Sequence, residues 1–162
     1  METLDHVLIV DDDPNKLAQL RAYFETDWRC RKLEVRHSFQ SGLKYALLES
    51  PGLIILDMTM PTYDVHGSER GGRERRYAGE EILRRLQRRQ KATSAIVVTQ
   101  FEQFGEGPDL VTLEELKDRL SRMYSALYLG AVWYQAADAR WKDQLRLLLT
   151  KFKEEASKRG YA

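Results

Sequence analysis

The chain has little cysteine, little proline and no long apolar run. Its single cysteine, Cys30, excludes an internal disulfide, and no Cys or His lies at metal-ligand spacing from it. The apolar runs are far shorter than the roughly 20 residues that a membrane-spanning helix needs. The N-terminal stretch METLDHVLIV lacks the basic start and the small-residue cleavage site of a secretory signal. These absences predict a cytoplasmic protein without membrane contact.

The sequence also lacks an excess of either charge. It contains 26 basic and 25 acidic residues, which leaves a formal net charge of +1. A balanced charge gives no whole-protein field, and this argues against nucleic acid as a partner. With 162 residues, 43% of them hydrophobic, the chain can bury one full-sized core. We therefore expect a single domain over residues 1–162.

What the sequence does contain is a regular alternation of strand and helix patterns. The strand patterns are HVLIVD, KLEVRHS, GLIILD, SAIVVT and GAVWYQ, at 6–11, 32–38, 52–57, 94–99 and 130–135. Helical patterns lie at 14–28, 39–50, 77–90, 113–127 and 138–160, with Asp13 and Ser38 as expected caps of the first two. The alternation predicts an α/β fold in which helices cover both faces of a parallel sheet. Extended loops are expected at 62–76 and 100–111.

Acidic and hydroxyl residues end three of these strands. Asp11 and Asp12 close strand one, Asp57 closes strand three, and Thr99 closes strand four. Sites in parallel sheets form at the carboxyl ends of the strands, so these residues should meet. Clustered carboxylates favour a cation such as Mg²⁺, and an Asp carboxylate can itself accept a phosphoryl group. The alternative is that Asp11 to Asp13 only cap helix one and that Asp57 caps a turn.

On these residues the chain resembles the response-regulator receiver domain of two-component signalling. The matching stretches are VLIVDDDP, LIILDMTMP, AIVVT and GAVWY. The resemblance implies a flavodoxin-like (βα)5 doubly wound sheet with strand order 2-1-3-4-5, and a signalling protein rather than an enzyme. It also implies a phospho-acceptor, a Mg²⁺ site and a switch pair. The acceptor is Asp57, the Mg²⁺ ligands are Asp12, Asp57, the backbone carbonyl of Thr59 and, through water, Asp11, and the switch residues are Thr99 and Tyr134.

The sequence departs from the family at the end of strand five. The family has a lysine three residues beyond the switch aromatic, and its ammonium pairs with the acceptor and with the phosphoryl group. Here that position is Ala137, and Lys142 is expected to face away on the last helix. The candidates to replace the missing cation are the arginines of the first extended loop, Arg70, Arg73, Arg75 and Arg76.

Aromatic residues cluster on helix four, strand five and helix five. In receivers this surface commonly contacts partners, and aromatic side chains are enriched at interfaces. We therefore expect the surface to contact a downstream protein, and it leaves a homodimer possible. The interface candidates are Tyr124, Tyr128 and Trp133.

Two functional hypotheses follow. In the first, a histidine kinase or phosphotransfer protein phosphorylates Asp57 in a Mg²⁺-dependent reaction, and this controls a protein partner. In the second, the chain is a pseudo-receiver, an interaction module that works without phosphorylation. Retention of the acidic and hydroxyl positions favours the first, and loss of the lysine favours the second. Nucleic-acid binding through the arginine-rich loop is a weaker third hypothesis, given the balanced charge.

Overall fold

The computed structural model of the chain describes residues 2–65 and 71–159. In chain order the strands are β1 (Thr3–Val10), β2 (Arg29–Arg36), β3 (Leu53–Leu56), β4 (Met60–Pro61), β5 (Glu74–Arg75), β6 (Ser94–Thr99), β7 (Gln103–Phe104), β8 (Val111–Thr112) and β9 (Tyr128–Trp133). The helices are α1 (Pro14–Thr26), α2 (Phe39–Glu49), α3 (Ala78–Arg88), α4 (Leu113–Met123) and α5 (Arg140–Lys158).

The longer strands form one parallel sheet in the order β2-β1-β3-β6-β9. Since β6 and β9 are the fourth and fifth strands of this sheet along the chain, the predicted order 2-1-3-4-5 is confirmed. The fold is therefore an α/β fold, as the alternation of patterns predicted, and it has the flavodoxin-like topology that the resemblance implied.

The central strand β3 shows why this sheet must be covered on both faces. All four of its residues are buried and apolar, and successive side chains point to opposite faces. Ile54 and Leu56 pack into a core with α2, α3 and α4, whereas Leu53 and Ile55 pack into a second core with α1 and α5. The carboxyl end of β3 is thus held rigidly between two layers of helices.

Two predicted helix caps are confirmed. The Asp13 side chain accepts hydrogen bonds from the backbone N–H groups of Asn15 and Lys16, at 2.9 and 3.1 Å. The Ser38 hydroxyl accepts one from the Ser41 N–H at 3.3 Å. These contacts satisfy N–H groups that have no partner within their own helix. Helices α1 and α2 therefore begin at the residues that the sequence predicted, Pro14 and Phe39.

Helix α4 is shorter than the sequence predicted. It ends at Met123, and Tyr124 leaves the helical conformation while its N–H still bonds the Leu120 carbonyl. Leu127, which we placed on the same helix, lies beyond its end and is buried. The turn after Tyr124 is what brings the chain back into the sheet as β9.

The aromatic residues predicted at an interface lie mostly in the core. Tyr124 is 2% exposed and Tyr128 is 9% exposed, and both pack beneath α4. The prediction that they form a surface is therefore wrong. Trp133 is partly buried, and its indole N–H donates to the Gln100 carbonyl at 3.2 Å.

A small antiparallel pair of strands lies at the ends of each of the two segments predicted as loops. Strand β4 pairs with β5, and β7 pairs with β8. The interpretation of 62–76 and 100–111 as plain loops is thus only partly right, because paired backbone groups order both ends of each segment. The first pair of strands begins shortly after Asp57, and the second begins shortly after Thr99.

Gly79 sets how closely α3 approaches the end of β3. Its N–H donates to the Met58 carbonyl at 3.1 Å. A Cβ at this position would collide with the Asp57 carbonyl oxygen and with the side chains of Met58 and Leu56. The absence of a side chain here therefore lets the helix pack directly on the backbone of the acidic residue.

We predict that Gly79→Ala lowers the free energy of unfolding by about 1–3 kcal/mol, because an added methyl group overpacks this contact. Gly52→Ala is the matched control, since the nearest atom to its added Cβ would be the His6 carbonyl oxygen at 3.9 Å. Urea unfolding measures both variants. Equal stabilities for the two would show that α3 can shift at no cost.

Candidate functional site

The carboxyl edge of the sheet brings the predicted acidic residues together. Asp11 is 1% exposed and Asp57 is 3% exposed, directly after β1 and β3. Backbone pairing continues through both residues, because the Asp57 N–H donates to the Val10 carbonyl at 3.2 Å and the Asp11 N–H to the Arg36 carbonyl at 3.0 Å. Asp12 is exposed at the same edge. The side chains therefore start from a rigid frame.

Lys16 is the residue of this site that the sequence interpretation missed. It lies in the first turn of α1, and its side chain is fully buried. Its ammonium nitrogen, Nζ, lies 2.7 Å from Asp11 Oδ2, 2.7 Å from Asp57 Oδ2 and 3.1 Å from the Val98 carbonyl oxygen. All three donors of the ammonium group are thus engaged. A buried cation joins the two buried carboxylates.

A weak signal for Lys16 exists in the sequence. A positive charge in the first turn of a helix opposes the helix dipole, so acidic residues are preferred there. The first turn of α1 contains no acidic residue, and Lys16 stands at its third position. A lysine at this position is therefore a hint that a nearby negative charge compensates for the unfavourable dipole.

The remaining oxygens of the two buried carboxylates are also fixed. Asp57 Oδ1 accepts a hydrogen bond from the Met58 N–H at 2.7 Å, and Asp11 Oδ1 accepts one from the Asp13 N–H at 3.0 Å. Each carboxylate is therefore held at both oxygens, by a backbone N–H on one side and by Lys16 on the other. Asp57 presents a carboxylate of defined orientation at the sheet edge.

Burial is the main cause of the pKa shifts of the carboxyl groups at this edge. Burial raises the pKa of Asp11 to about 7, and the charge of Asp57 adds to this effect while that of Lys16 opposes it. Burial also raises the pKa of Asp12. For Lys16, burial favours the neutral form, but the two carboxylates prevail and raise its pKa above the ordinary value. The ammonium of Lys16 is therefore charged.

The predicted switch residues lie side by side on β6 and just beyond β9. Thr99 is fully buried, and its hydroxyl oxygen accepts a hydrogen bond from the Phe101 N–H at 3.2 Å. The Tyr134 N–H donates to the Thr99 carbonyl at 2.7 Å. The Tyr134 ring is 3% exposed and packs on Trp141 with a centroid distance of 5.3 Å. Within the described part of the chain, its hydroxyl has no hydrogen-bond partner.

The position of the missing lysine contributes no cation. Ala137 is exposed in the connection between β9 and α5. The neighbouring Asp138 accepts a hydrogen bond from the Arg140 guanidinium at 2.7 Å, and this contact lowers the pKa of Asp138. Lys142 is exposed on α5, as predicted. The positive charge beside Asp57 is instead supplied by Lys16 of α1.

Of the arginines proposed as substitutes, those that the structure describes do not occupy this position. Arg73, Arg75 and Arg76 are exposed, and Arg70 lies outside the described residues. The Arg75 guanidinium stacks over the Phe39 ring at 4.3 Å, and its Nε–H donates to the Thr62 hydroxyl at 3.3 Å. For the described arginines the prediction is corrected, because Lys16 already fills the place next to Asp57. They line a cleft of about 720 Å³ between the two hairpins instead.

The oxygen atoms at this edge of the sheet are suitable ligands for Mg²⁺, even when Asp11 is not counted among them. In the described ranges, no group of three His, Cys, Asp or Glu side chains is arranged to hold a metal ion. Mg²⁺, however, characteristically takes one or two carboxylates and keeps several waters. The three carboxyl groups outnumber the one ammonium even though the pKa of Asp11 is raised to about 7, so the edge attracts a divalent cation. Asp12, Asp57 and the Thr59 carbonyl therefore suit such an ion.

Comparison with known sequences identifies the family. The response regulator receiver domain matches residues 7–113, and the chain belongs to this family. It is 37% identical over 140 residues to the uncharacterized protein y4jR of Sinorhizobium fredii, covering 86% of this chain and 93% of that protein. It is 32% identical over 142 residues to the Detocs response regulatory protein DtcB of Enterobacter cloacae, covering 86% of this chain and 94% of that protein.

Solved structures with the same fold include a response regulator from Colwellia psychrerythraea, with a TM-score of 0.60, 18% identity and coverage of 93% of this chain and 98% of that one. A CheY-like receiver domain protein from Methanospirillum hungatei has a TM-score of 0.59, 18% identity and coverage of 98% of both chains. At this identity the likeness concerns the fold alone. Among the described helices, none is long and apolar enough to cross a bilayer.

We predict that Tyr134→Phe leaves the free energy of unfolding unchanged or raises it slightly, since the removed hydroxyl is buried and unpaired. Tyr45→Phe is the matched control, because the Tyr45 hydroxyl lies 2.8 Å from His6 Nε2 and its loss should cost about 0.5–1.5 kcal/mol. Urea unfolding compares the two. A larger loss in Tyr134→Phe would show that the phenol has an unrecognised partner.

Proposed function

We propose that this receiver domain accepts a phosphoryl group on Asp57 and thereby controls a protein partner. The observation that carries the proposal is the pairing of the Asp57 carboxylate with a buried ammonium at 2.7 Å. Receiver domains are in general non-enzymatic signalling domains. The donor is a histidine kinase or a phosphotransfer protein, as the family suggests.

The proposed reaction needs an acceptor oxygen and a place for negative charge. An Asp57 carboxylate oxygen forms a bond to phosphorus while the bond from phosphorus to the donor imidazole nitrogen breaks. The bonding electron pair leaves with that nitrogen, which takes up a proton from water. Asp57 is suited to this step because the Met58 N–H and Lys16 fix its orientation before the donor arrives.

We place Mg²⁺ at Asp12, Asp57 and the Thr59 carbonyl, where the excess of negative charge supports it. When bound, the ion supplies charge neutralisation for the phosphoryl oxygens. A water-mediated contribution from Asp11 stays a prediction, and in the structure this carboxylate is directed to Lys16.

We place the downstream contact on the surface of α4, β9 and α5. With Tyr124 and Tyr128 in the core, this surface instead presents Met123 and Leu147, which are 52% and 73% exposed, and the partly buried Trp133. A downstream partner, a homodimer through this surface and a cytoplasmic location stay predictions.

The alternative of a pseudo-receiver depended on the missing lysine. Lys16 removes much of that basis, because a cation does lie beside the acceptor. The acidic residues, the hydroxyl and the cation together support the phospho-accepting function over a pure interaction module.

We expect wild-type protein incubated with acetyl phosphate and Mg²⁺ to gain the mass of one phosphoryl group, and Asp57→Asn to gain none. The substitution keeps the shape of the side chain but removes the nucleophilic carboxylate. Intact-protein mass spectrometry gives the readout, and circular dichroism confirms that both proteins are folded. Absence of any mass gain in the wild type, also with a phosphohistidine donor, would contradict the proposal.

We further expect Mg²⁺ to bind with a roughly millimolar to sub-millimolar dissociation constant, since waters complete most of its coordination shell. Asp12→Ala should abolish the binding heat in isothermal titration calorimetry. Asp143→Ala is the matched control, because this aspartate is exposed on α5, a helix that supplies none of the proposed ligands. Identical heats for wild type and Asp12→Ala would exclude a metal site at Asp12.

A further inference from the structure

We propose that Lys16 replaces the missing lysine as the cation that pairs with Asp57 and with the phosphoryl group on it. The inference rests on the proposed function and assigns a specific residue to it. In this chain the cation is delivered by the first turn of α1, whereas the family delivers it from the connection after the last strand of the sheet.

The local fold makes this delivery possible. Helix α1 begins directly after the acidic residues that follow β1. The Asp13 cap fixes the first turn of this helix at the edge of the sheet. Lys16 stands in that turn, and its side chain reaches the carboxyl ends of β3 and β6. Its position is therefore determined by the same segment that supplies Asp11 and Asp12.

The contacts of Lys16 allow it to receive a phosphoryl oxygen. Two of its donors bind carboxylates, but the third binds the neutral Val98 carbonyl at 3.1 Å, the longest of the three contacts. Charge-assisted hydrogen bonds are shorter and stronger than neutral ones, so an anionic phosphoryl oxygen competes well for this donor. The ammonium can exchange the carbonyl for the phosphoryl group while it keeps its contact with Asp57.

This exchange would also connect the phosphoryl group to the switch. Val98 immediately precedes Thr99 on β6, and Thr99 is bonded through its backbone to Tyr134. Release of the Val98 carbonyl therefore acts on the residue next to the switch hydroxyl. Ala137 and the connection between β9 and α5 are not needed for this route.

A purely structural role for Lys16 leads to a different expectation. In that case Lys16 only keeps Asp11 and Asp57 ionised, and its loss weakens every ligand of the site through a general loss of structure. If Lys16 instead pairs with the phosphoryl group, its loss should affect the binding of the phosphoryl mimic and of Mg²⁺ differently. Removing the ammonium should weaken an anionic phosphoryl mimic while leaving or strengthening the attraction for a divalent cation, because the site becomes more negative.

The experiment measures Mg²⁺ affinity and, at saturating Mg²⁺, beryllofluoride affinity in folded wild type, Lys16→Met and the control Lys142→Met. Methionine keeps the length of the side chain and removes its charge, and Lys142 is exposed on α5. Beryllofluoride mimics a phosphoryl group on an Asp carboxylate. A third protein, Lys16→Met/Ala137→Lys, supplies an ammonium from the family's own position. Tryptophan fluorescence and ligand-dependent thermal unfolding give the readouts.

We expect Lys16→Met to bind beryllofluoride about ten- to a hundredfold more weakly, as for the loss of one charge-assisted hydrogen bond. Mg²⁺ affinity should be unchanged or higher, Lys142→Met should behave as wild type, and the double variant should recover beryllofluoride binding. Unchanged beryllofluoride affinity in folded Lys16→Met, or a parallel loss of both ligands, would overturn the assignment.

A second variant covers the case in which Lys16→Met does not fold, because it leaves two carboxylates buried without a cation. Asp11→Asn/Lys16→Met removes one of these charges as well and should restore a folded protein. It is compared with Asp11→Asn alone, which keeps Lys16, and should bind beryllofluoride about ten- to a hundredfold more weakly. Equal binding by this pair would overturn the assignment.

The outcomes separate this inference from the proposed function. If wild type binds beryllofluoride and Lys16→Met binds it equally well, only the role of Lys16 fails. If wild type binds no beryllofluoride and accepts no phosphoryl group, the proposed function fails, and the assignment of Lys16 fails with it.

Discussion

The ion pairs of Lys16 with Asp11 and Asp57 are the constraint on which the rest of the site depends. Two carboxylates that are 1% and 3% exposed cannot both remain ionised without a nearby positive charge. The ammonium at 2.7 Å from each provides that charge, and it crosslinks the ends of β1 and β3 to α1. Removing one member of such a buried group leaves an uncompensated charge, which typically costs about 3–5 kcal/mol. The cluster therefore ties the stability of the sheet edge to its chemistry.

The layout of the fold could be predicted from the sequence because it depends on local patterns. The run Leu53 to Leu56 is apolar without alternation, which is typical of a strand buried on both faces, and the structure buries all four residues. Asp13 and Ser38 are residues that begin helices, and both do so here. Asp11 and Asp57 could be placed at one edge because parallel strands bring their carboxyl ends together. These predictions need only the type and spacing of residues and the parallel direction of the strands.

The errors arose where the outcome depends on which side of an element faces the core. Leu116, Leu120 and Tyr124 follow one another at a spacing of four residues, and all three are buried. We assigned Tyr124 to the surface, although it is 2% exposed and its neighbour Met123 is the one that is 52% exposed. The aromatic character of Tyr124 pointed to an interface, whereas its spacing placed it on the apolar face of the helix. At this position the spacing was the better guide.

Lys16 could not be assigned from the sequence for a related reason. Its contacts join residues 41 and 82 positions away along the chain. Its place in the first turn is only a weak hint, because an exposed lysine can also stand there, and it is the packing of α1 on the sheet that turns this side chain inward. The search for a replacement cation therefore favoured the arginine-rich segment, where positive charge is abundant. The arginines are numerous, but those described are exposed, whereas the buried Asp57 is reached by the single Lys16.

The origin of the cation also bears on how strongly phosphorylation can act on the fold. A ligand shifts an equilibrium only by the difference between its interactions with the two states. In the structure all three donors of the Lys16 ammonium are already engaged. A phosphoryl group would therefore have to displace the Val98 carbonyl, and the free energy gained is only the difference between the new hydrogen bond and the one that is lost. A lysine that pairs with the acceptor only after phosphorylation would gain the whole contact. The arrangement around Lys16 therefore favours a shallow switch, in which the unphosphorylated protein already has most of the order of the active site. If Asp57 is phosphorylated as proposed, the remaining change would pass through the backbone from Val98 to Thr99, whose carbonyl already accepts a hydrogen bond from the Tyr134 N–H.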